Sequence, residues 1–538
     1  MLRATREHAA AAMLITLAAV AFSAPIWQSR GVPKGDDFFL HLTLADGVAQ
    51  GLADGQVYPR WLDRGNHRYG IPALIGYPPL SAYAVGVTRL VTGDLMSASR
   101  LVIFLVNILA GLSFFVLARR FASPPFAGLG AALYVLMPYH FVTIYQRYSL
   151  AEFFCFIWMP LVLAFGLDLC DEPRPRSWIL FCVSIAGLVL SHVAIAYLVV
   201  VAFGPVLLLR SRPLRRPRRA LAMLLAGLAA MALIGVYVIP LLWSRHLIHW
   251  QAQYASTTAG FAFSRGRGLR GVLYDEVLAT QVACCIPLVV AASRSARSHI
   301  AAWAGAVVVV VVLQLELTSY IWNHVPGFSF VLYPARLLAL LSVLAPLALT
   351  WAFARRARLW AVGLLGCCAA LWVSFSSVQD VKFVSLDGPG RPFSTRAPDL
   401  WNQEHVPATV PGFRDRAAMQ RPVEAGAGAD AVVLSWTSHS RRIRVDVRDK
   451  TADVKVRTFY FPGWEATVNG RPTRIGPDPE SGVIELRLDR GVNDVRLEFR
   501  DTPDRVTGWW VSIATVCAFG LAAVFAAIRR RRSSATPP

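Results

Sequence analysis

The sequence predicts a polytopic α-helical membrane protein of about twelve spans, with an extracytoplasmic, β-sandwich-like domain before the last span. Three observations predict it. Of 538 residues, 55% are hydrophobic and only 16% charged, a balance that a water-soluble core of this size does not need. Apolar runs of roughly 17–20 residues, long enough to cross a bilayer, recur along the chain. The Arg residues sit in short clusters between those runs, as loops on the cytoplasmic side require.

The candidate spans fall near 9–27, 101–118, 121–138, 150–168, 177–192, 193–209, 220–240, 272–293, 298–315, 334–354, 359–376 and 508–528. Between them lie Arg119 and Arg120, Arg174 and Arg176, Arg210 to Arg219, Arg294 and Arg297, and Arg355 to Arg358, with Arg3 and Arg6 before the first span and Arg529 to Arg532 after the last. Placing every cluster in the cytoplasm makes the spans alternate without exception, with both termini inside. Arg3 and Arg6 ahead of a short apolar run ending at Ala24 also fit a cleaved signal peptide, which leaves the sides unchanged. The run from Ile71 to Val91 is broken by Pro72, Pro78 and Pro79, so it reads as an in-plane or re-entrant piece.

The net charge of +21 does not mark a nucleic-acid partner, because that reading needs the basic residues gathered on one face. The partner is the lipid bilayer of the cell membrane. All eight Cys lie in or beside apolar stretches, without metal-type spacing, as buried small hydrophobes do.

The domain division that follows is a transmembrane part, 1–376, whose first outer loop is 28–100, then an extracytoplasmic part, 377–507, and a last helix with a basic tail, 508–538. The second part reads as β-rich from about residue 430. Ile443, Val445 and Val447 alternate with charges, as do Ile484, Leu486 and Leu488, and then Val495, Leu497 and Phe499, while Asn469-Gly470 is a hairpin signal. Residues 380–428 are rich in Pro, Gly and Ala and read as irregular or linker.

Chemistry points to the outer ends of the spans. Asp36-Asp37 directly follows the first span, with His41 one helical turn beyond Asp37 on the same face. Asp37 either caps that helix or serves as a general base, and the pair can hold a divalent cation such as Mg or Mn. On the same side fall His140, Arg147 and Glu152 between spans three and four, His192 at the end of span five, and Glu316, Tyr320, His324 and Arg336 between spans nine and ten. Ionisable groups at a membrane edge are functional suspects, although Arg147 and Arg336 also suit snorkelling to headgroups. Tyr58-Pro59-Arg60-Trp61 and Tyr77-Pro78-Pro79 give the first outer loop a rigid aromatic shape over a lipid-facing groove.

These motifs, namely Asp36-Asp37 with His41, the loop around Tyr58, Arg60, Trp61 and Tyr77, the Arg147 to Glu152 segment, Leu190-Ser191-His192, and Phe328 to Arg336, resemble a family of prokaryotic membrane proteins described as pyruvoyl-tetrahydropterin-synthase-related. That family is similar in turn to YfhO-type proteins and to GT-C membrane glycosyltransferases. Tyr460-Phe461-Pro462-Gly463-Trp464 resembles the YfhO-type motif before a last helix. The chain departs from the family's usual pattern at Tyr148-Ser149, where Arg-Gly is common, and at Ala335, where Trp is common.

The resemblance implies a GT-C-like fold and transfer of a sugar from a polyprenyl-phosphate carrier to a glycan, lipid or protein acceptor outside the cell. It further implies that Asp36 or Asp37 is the essential acidic residue of the first outer loop. On this reading His41, Arg147, Glu152, His192 and Arg336 bind the donor phosphate and substrate. The alternatives are a transporter or lipid flippase, which favours internal repeats and midplane charges, and a non-catalytic assembly factor of the cell envelope, which tolerates loss of both Asp residues.

Overall fold

The computed structural model describes residues 2–249, 268–293, 298–355, 360–385, 405–411, 419 and 421–534. The Arg294 and Arg297 cluster, Arg356 and Arg358, and most of the expected linker at 380–428 lie outside the described residues. In chain order the helices are α1 (Leu2–Gln28), α2 (Phe38–Ala53), α3 (Leu80–Thr92), α4 (Leu95–Ala118), α5 (Pro124–Val135), α6 (Leu150–Asp171), α7 (Pro175–Ser191), α8 (Val193–Ser211), α9 (Pro217–Leu233), α10 (Gly235–Ser244), α11 (Gly268–Ser293), α12 (Ser298–Val312), α13 (Leu338–Arg355), α14 (Trp360–Ser376) and α15 (Pro503–Ser534). Eight of the described helical segments are long and apolar enough to cross a membrane. One bent pair, α9 with α10, joins them if it counts as a single span, and three helical segments of 10–17 residues are apolar but shorter. The chain folds as two compact units, the first comprising 1–49, 78–226 and 251–397, the second 50–77, 227–250 and 398–538.

In the first unit α1 lies along α4 and α5, burying Ile15, Ala19, Phe22 and Ile26. The approach is close because small residues meet: a Cβ on Gly128 would come within 2.6 Å of the Ala11 side chain, the packing that lets apolar helices associate where no hydrophobic force drives them together. Asp94 starts α4 by accepting from the Met96 and Ser97 amides at 3.1 and 2.6 Å. At 13 residues, α3 is about 20 Å long and falls short of the hydrocarbon thickness.

The two ends of α6 carry different chemistry. Glu152 stands in its first turn. At the other end Asp168 pairs with Arg120, and Asp171 pairs with both Arg120 and Arg210 at 2.8 Å, tying the ends of α4, α6 and α8 together. Residues 152 and 171 are about 28 Å apart along the helix, close to the thickness of a hydrocarbon core.

The second unit is built on a seven-stranded antiparallel sheet of β3 (Val423–Ala425), β4 (Ala429–Trp436), β5 (Ser440–Phe459), β6 (Trp464–Val468), β7 (Arg471–Thr473), β8 (Gly476–Pro477) and β9 (Val483–Phe499). β1 (Val32–Pro33) and β2 (Phe383–Val384) pair separately in the first unit. The alternating residues named from the sequence are the buried ones: Ile443, Val445, Val447, Ile484, Leu486, Leu488, Val495, Leu497 and Phe499. Asn469 and Gly470 both have positive φ, 50° and 80°, and join β6 to β7 in a two-residue turn, as the twist of an antiparallel pair favours. In place of two distinct sheets, the strands share one hydrogen-bonded sheet, because β5 and β9 run through its whole length with register shifts at Val447/Thr451 and Val456/Phe459.

Residues 50–77 pack into this sheet unit. Trp61 is fully buried against Trp464 (5.6 Å) and Phe499 (5.5 Å), and Tyr69 stacks on Phe459 at 4.8 Å. Asp63 pairs with Arg441, whose guanidinium lies over Trp436 at 4.1 Å. In the same unit α10 crosses α15 where Gly508 meets the Gly235 carbonyl, leaving 2.8 Å for a Cβ.

Candidate active site

Residues from four separated segments of the first unit converge around Glu152. The segment after α5 is a five-residue π-helix, Val142–Gln146, a rare local form that often marks functional sites. It delivers Arg147 and then Tyr148, whose φ of 53° turns the chain sharply into α6. Arg147 Nη1 donates to Glu152 Oε2 at 2.7 Å and to the Tyr139 hydroxyl at 3.3 Å, while Tyr139 donates to Glu152 Oε1 at 2.6 Å. Arg336 enters from the 3-10 turn Pro334–Leu337, with its Nε 3.7 Å from Glu152 Oε2. Glu152 is wholly buried and thus sits between two guanidinium groups, as a buried carboxylate must to offset its lost hydration.

Asp37 stands at the edge of this network. Its amide donates to the Arg147 carbonyl at 2.8 Å, and its Oδ2 lies 3.9 Å from Arg147 Nη2. The Asp37 side chain keeps 34% of its exposure while that of Arg147 keeps 9%, so the carboxylate is reachable from outside and the guanidinium is not. The close approach depends on Gly35: a Cβ there would lie 2.3 Å from the Arg147 carbonyl carbon. Gly35→Ala is therefore expected to push Asp37 off the Arg147 backbone and lower any activity of the site about as far as loss of the carboxylate does, since misplacement by an ångström costs on the order of 100-fold. Activity assays on the folded variant check it, and wild-type turnover would show that the clamp is dispensable.

His41 is buried one turn into α2. Burial lowers its pKa to about 4, with Asp37 opposing and Arg147 adding to that shift. At neutral pH it is an uncharged imidazole, a hydrogen-bonding group that brings no charge to an anionic ligand. His192 lies where α7 gives way to α8 and accepts from the Ile195 amide at 3.3 Å; it is near enough to Arg336 and Glu152 to feel their charges.

The structure thus brings together Asp37, His41, Arg147, Glu152, His192 and Arg336. Asp36 is exposed beside Asp37. Tyr58, Arg60, Trp61 and Tyr77 belong to the second unit. There Arg60 Nε donates to Asp501 at 3.1 Å, Tyr58 to the Leu74 carbonyl at 3.1 Å, and Tyr77 meets the His405 ring edge-on. His140 stacks on Phe156 at 3.6 Å within the helices, and Glu316, Tyr320 and His324 are exposed. Sequence reasoning missed Tyr139, hidden beside the more conspicuous His140.

Among the described residues no group of three His, Cys, Asp or Glu side chains is arranged to hold a metal ion. Asp37 faces the Arg147 guanidinium at 3.9 Å, so a divalent cation at Asp36 and Asp37 would share the Asp37 carboxylate with that arginine and would draw its remaining ligands from substrate phosphate and water.

The helices, the C-terminal antiparallel sheet domain and this buried charge cluster define a multi-pass helical membrane protein. The chain belongs to the 6-pyruvoyl-tetrahydropterin synthase related family of membrane proteins, whose family model matches residues 76–379, more than half of it. Arg147, Glu152, His192 and Arg336 fall inside the matched segment; Asp36 and Asp37 precede it. Among solved structures the chain is similar to the cryo-EM structure of arabinofuranosyltransferase AftD from Mycobacteria, at 16% identity and a TM-score of 0.42. That match covers 69% of this chain and 27% of AftD, so the chain spans little more than a quarter of that protein's length. No curated protein matches.

Proposed function

We propose that this protein is a membrane glycosyltransferase of the GT-C type that moves a sugar from a polyprenyl-phosphate carrier to an acceptor hydroxyl on the outer face of the cell membrane. Twelve spans with cytoplasmic termini belong to the same reading. Its support is the motif resemblance together with one observation: a partly exposed Asp37 held beside Arg147, which Glu152 in turn fixes.

In this mechanism Asp37 takes the proton of the acceptor hydroxyl as its oxygen attacks the anomeric carbon. The bond from that carbon to the carrier phosphate breaks on the opposite side, with inversion, and the electron pair leaves on phosphate. Arg336 faces the developing anion. Its Nη1 donates to the Val331 carbonyl at 2.6 Å, and its Nε, 3.7 Å from Glu152 Oε2, makes no hydrogen bond among the described residues, so the guanidinium retains donor capacity, and charge-assisted donors are the strong ones. Arg147 adds charge, while His41 and His192 orient groups without contributing charge of their own in the case of His41. Asp36 offers a second carboxylate at the entrance.

The test is transfer from radiolabelled polyprenyl-phosphate sugars by the purified protein in liposomes, with mass spectrometry of the lipid that copurifies. Transfer and a copurified polyprenyl phosphate are expected. Absence of both across a panel of donors would sink the proposal. Because two guanidinium groups supply the charge that Mg would otherwise bring, chelation by EDTA is expected to leave the rate within about twofold. A loss reversed by Mg or Mn would show that Asp36 and Asp37 hold a cation after all.

A further inference from the structure

The opposite end of α6 carries a second charged feature with no part in the proposed chemistry. There the acidic side chains are already engaged: Asp168 with Arg120, and Asp171 with Arg120 and Arg210. The α8–α9 hairpin extends beyond them. Its Arg212, Arg215, Arg216 and Arg218 are exposed, and no carboxylate among the described residues pairs with them. Arg219, the next in line, donates instead to the Cys170 carbonyl.

The surroundings say what covers these four guanidinium groups. Leu214, at the tip between them, is 100% exposed. Leu208 and Leu209 at the end of α8, and Leu221, Leu224 and Leu225 at the start of α9, are exposed as well. Both legs of the hairpin therefore present leucine outward within three turns of the arginines, a surface that only lipid tails satisfy in a helix that crosses a bilayer. A row of free arginines just past such a surface falls at headgroup depth. An acidic protein would satisfy the charge, yet it would leave the flanking leucines without an apolar neighbour.

We propose that the α8–α9 hairpin is a binding site for anionic phospholipid, with Arg215, Arg216 and Arg218 gripping headgroup phosphates while Leu208, Leu209, Leu221, Leu224 and Leu225 on its legs lie against the acyl chains. Arginine near an anionic surface attracts it with about fivefold gain in affinity per residue, and guanidinium matches phosphate in a forked geometry.

The test uses the full-length protein in detergent and native mass spectrometry with phosphatidylglycerol and phosphatidylcholine added in turn. Wild type is expected to retain phosphatidylglycerol preferentially, and Arg215→Gln/Arg216→Gln/Arg218→Gln to lose at least about tenfold of that binding without change for phosphatidylcholine. Equal retention of phosphatidylglycerol by the triple variant overturns the proposal, as does equal retention of the two lipids by wild type. Displacement of bound lipid by millimolar inorganic phosphate also overturns it, marking a site for soluble phosphate. If the triple variant is not recovered folded, salt decides: the headgroup contact weakens steeply with ionic strength, so wild-type binding that is indifferent to salt rejects the site.

Discussion

Asp37→Asn is expected to lower sugar transfer by about 10²- to 10⁴-fold, the range that general-base assistance supplies, while the protein inserts and unfolds like wild type. The amide is nearly the same shape but accepts no proton. The main-chain bond from Asp37 to the Arg147 carbonyl survives the change. The lost ion pair is long, 3.9 Å, and about a third exposed on the carboxylate side, and such partly solvated pairs contribute little to stability. A fall in rate without a fall in stability thus isolates the chemical role. Asp36→Asn, at an exposed position, is expected to cost much less. Equal and full activity in both variants would leave the reaction without its base and favour a transporter or an assembly factor.

Glu152→Ala carries the largest expected effect on stability, about 3–5 kcal/mol, the usual consequence of removing one partner from a buried ion pair. Two guanidinium groups, Arg147 and Arg336, and the Tyr139 hydroxyl all face Glu152. Deleting the carboxylate leaves two buried guanidinium groups without the anion that balances them. Glu152→Gln keeps the volume and an acceptor for Tyr139, so it is expected to be milder than the alanine variant while still losing charge balance. Thermal unfolding in detergent measures both. A Glu152→Ala protein as stable as wild type would mean that the two arginines find other acceptors, and the network would no longer explain how Arg147 is held against Asp37.

Much of the helical plan was legible in the sequence because hydropathy is a local property: a run of apolar residues announces a membrane helix whatever it later packs against. The same holds for the strands, where Val445 and Leu486 declare their buried face by alternation alone, and for Asn469-Gly470, whose turn needs only its own φ angles. The site was legible in part. Asp37, Arg147, Glu152, His192 and Arg336 stood out because charge at a membrane edge is costly. Tyr139 did not, since a tyrosine in an apolar run is ordinary until its hydroxyl is seen to reach a carboxylate. The sequence around Trp61 and Arg60 predicts a loop over a groove; the structure buries both in the sheet unit, with Trp61 against Trp464 and Arg60 on Asp501.

The sequence by itself determined that this chain lives in lipid, which positions hold its main apolar helices and its alternating strands around Ile443, Leu486 and Leu497, and that ionisable groups collect near the ends of the helices. Only the tertiary structure decided that Glu152 lies between two arginines, that Gly35 lets Asp37 close on Arg147, and that residues 50–77 pack with a sheet that begins only at Val423. The physical reason is range. Solvation and backbone preference act on a residue and its near neighbours, whereas the partner of a buried charge is chosen by packing among segments that no local pattern relates.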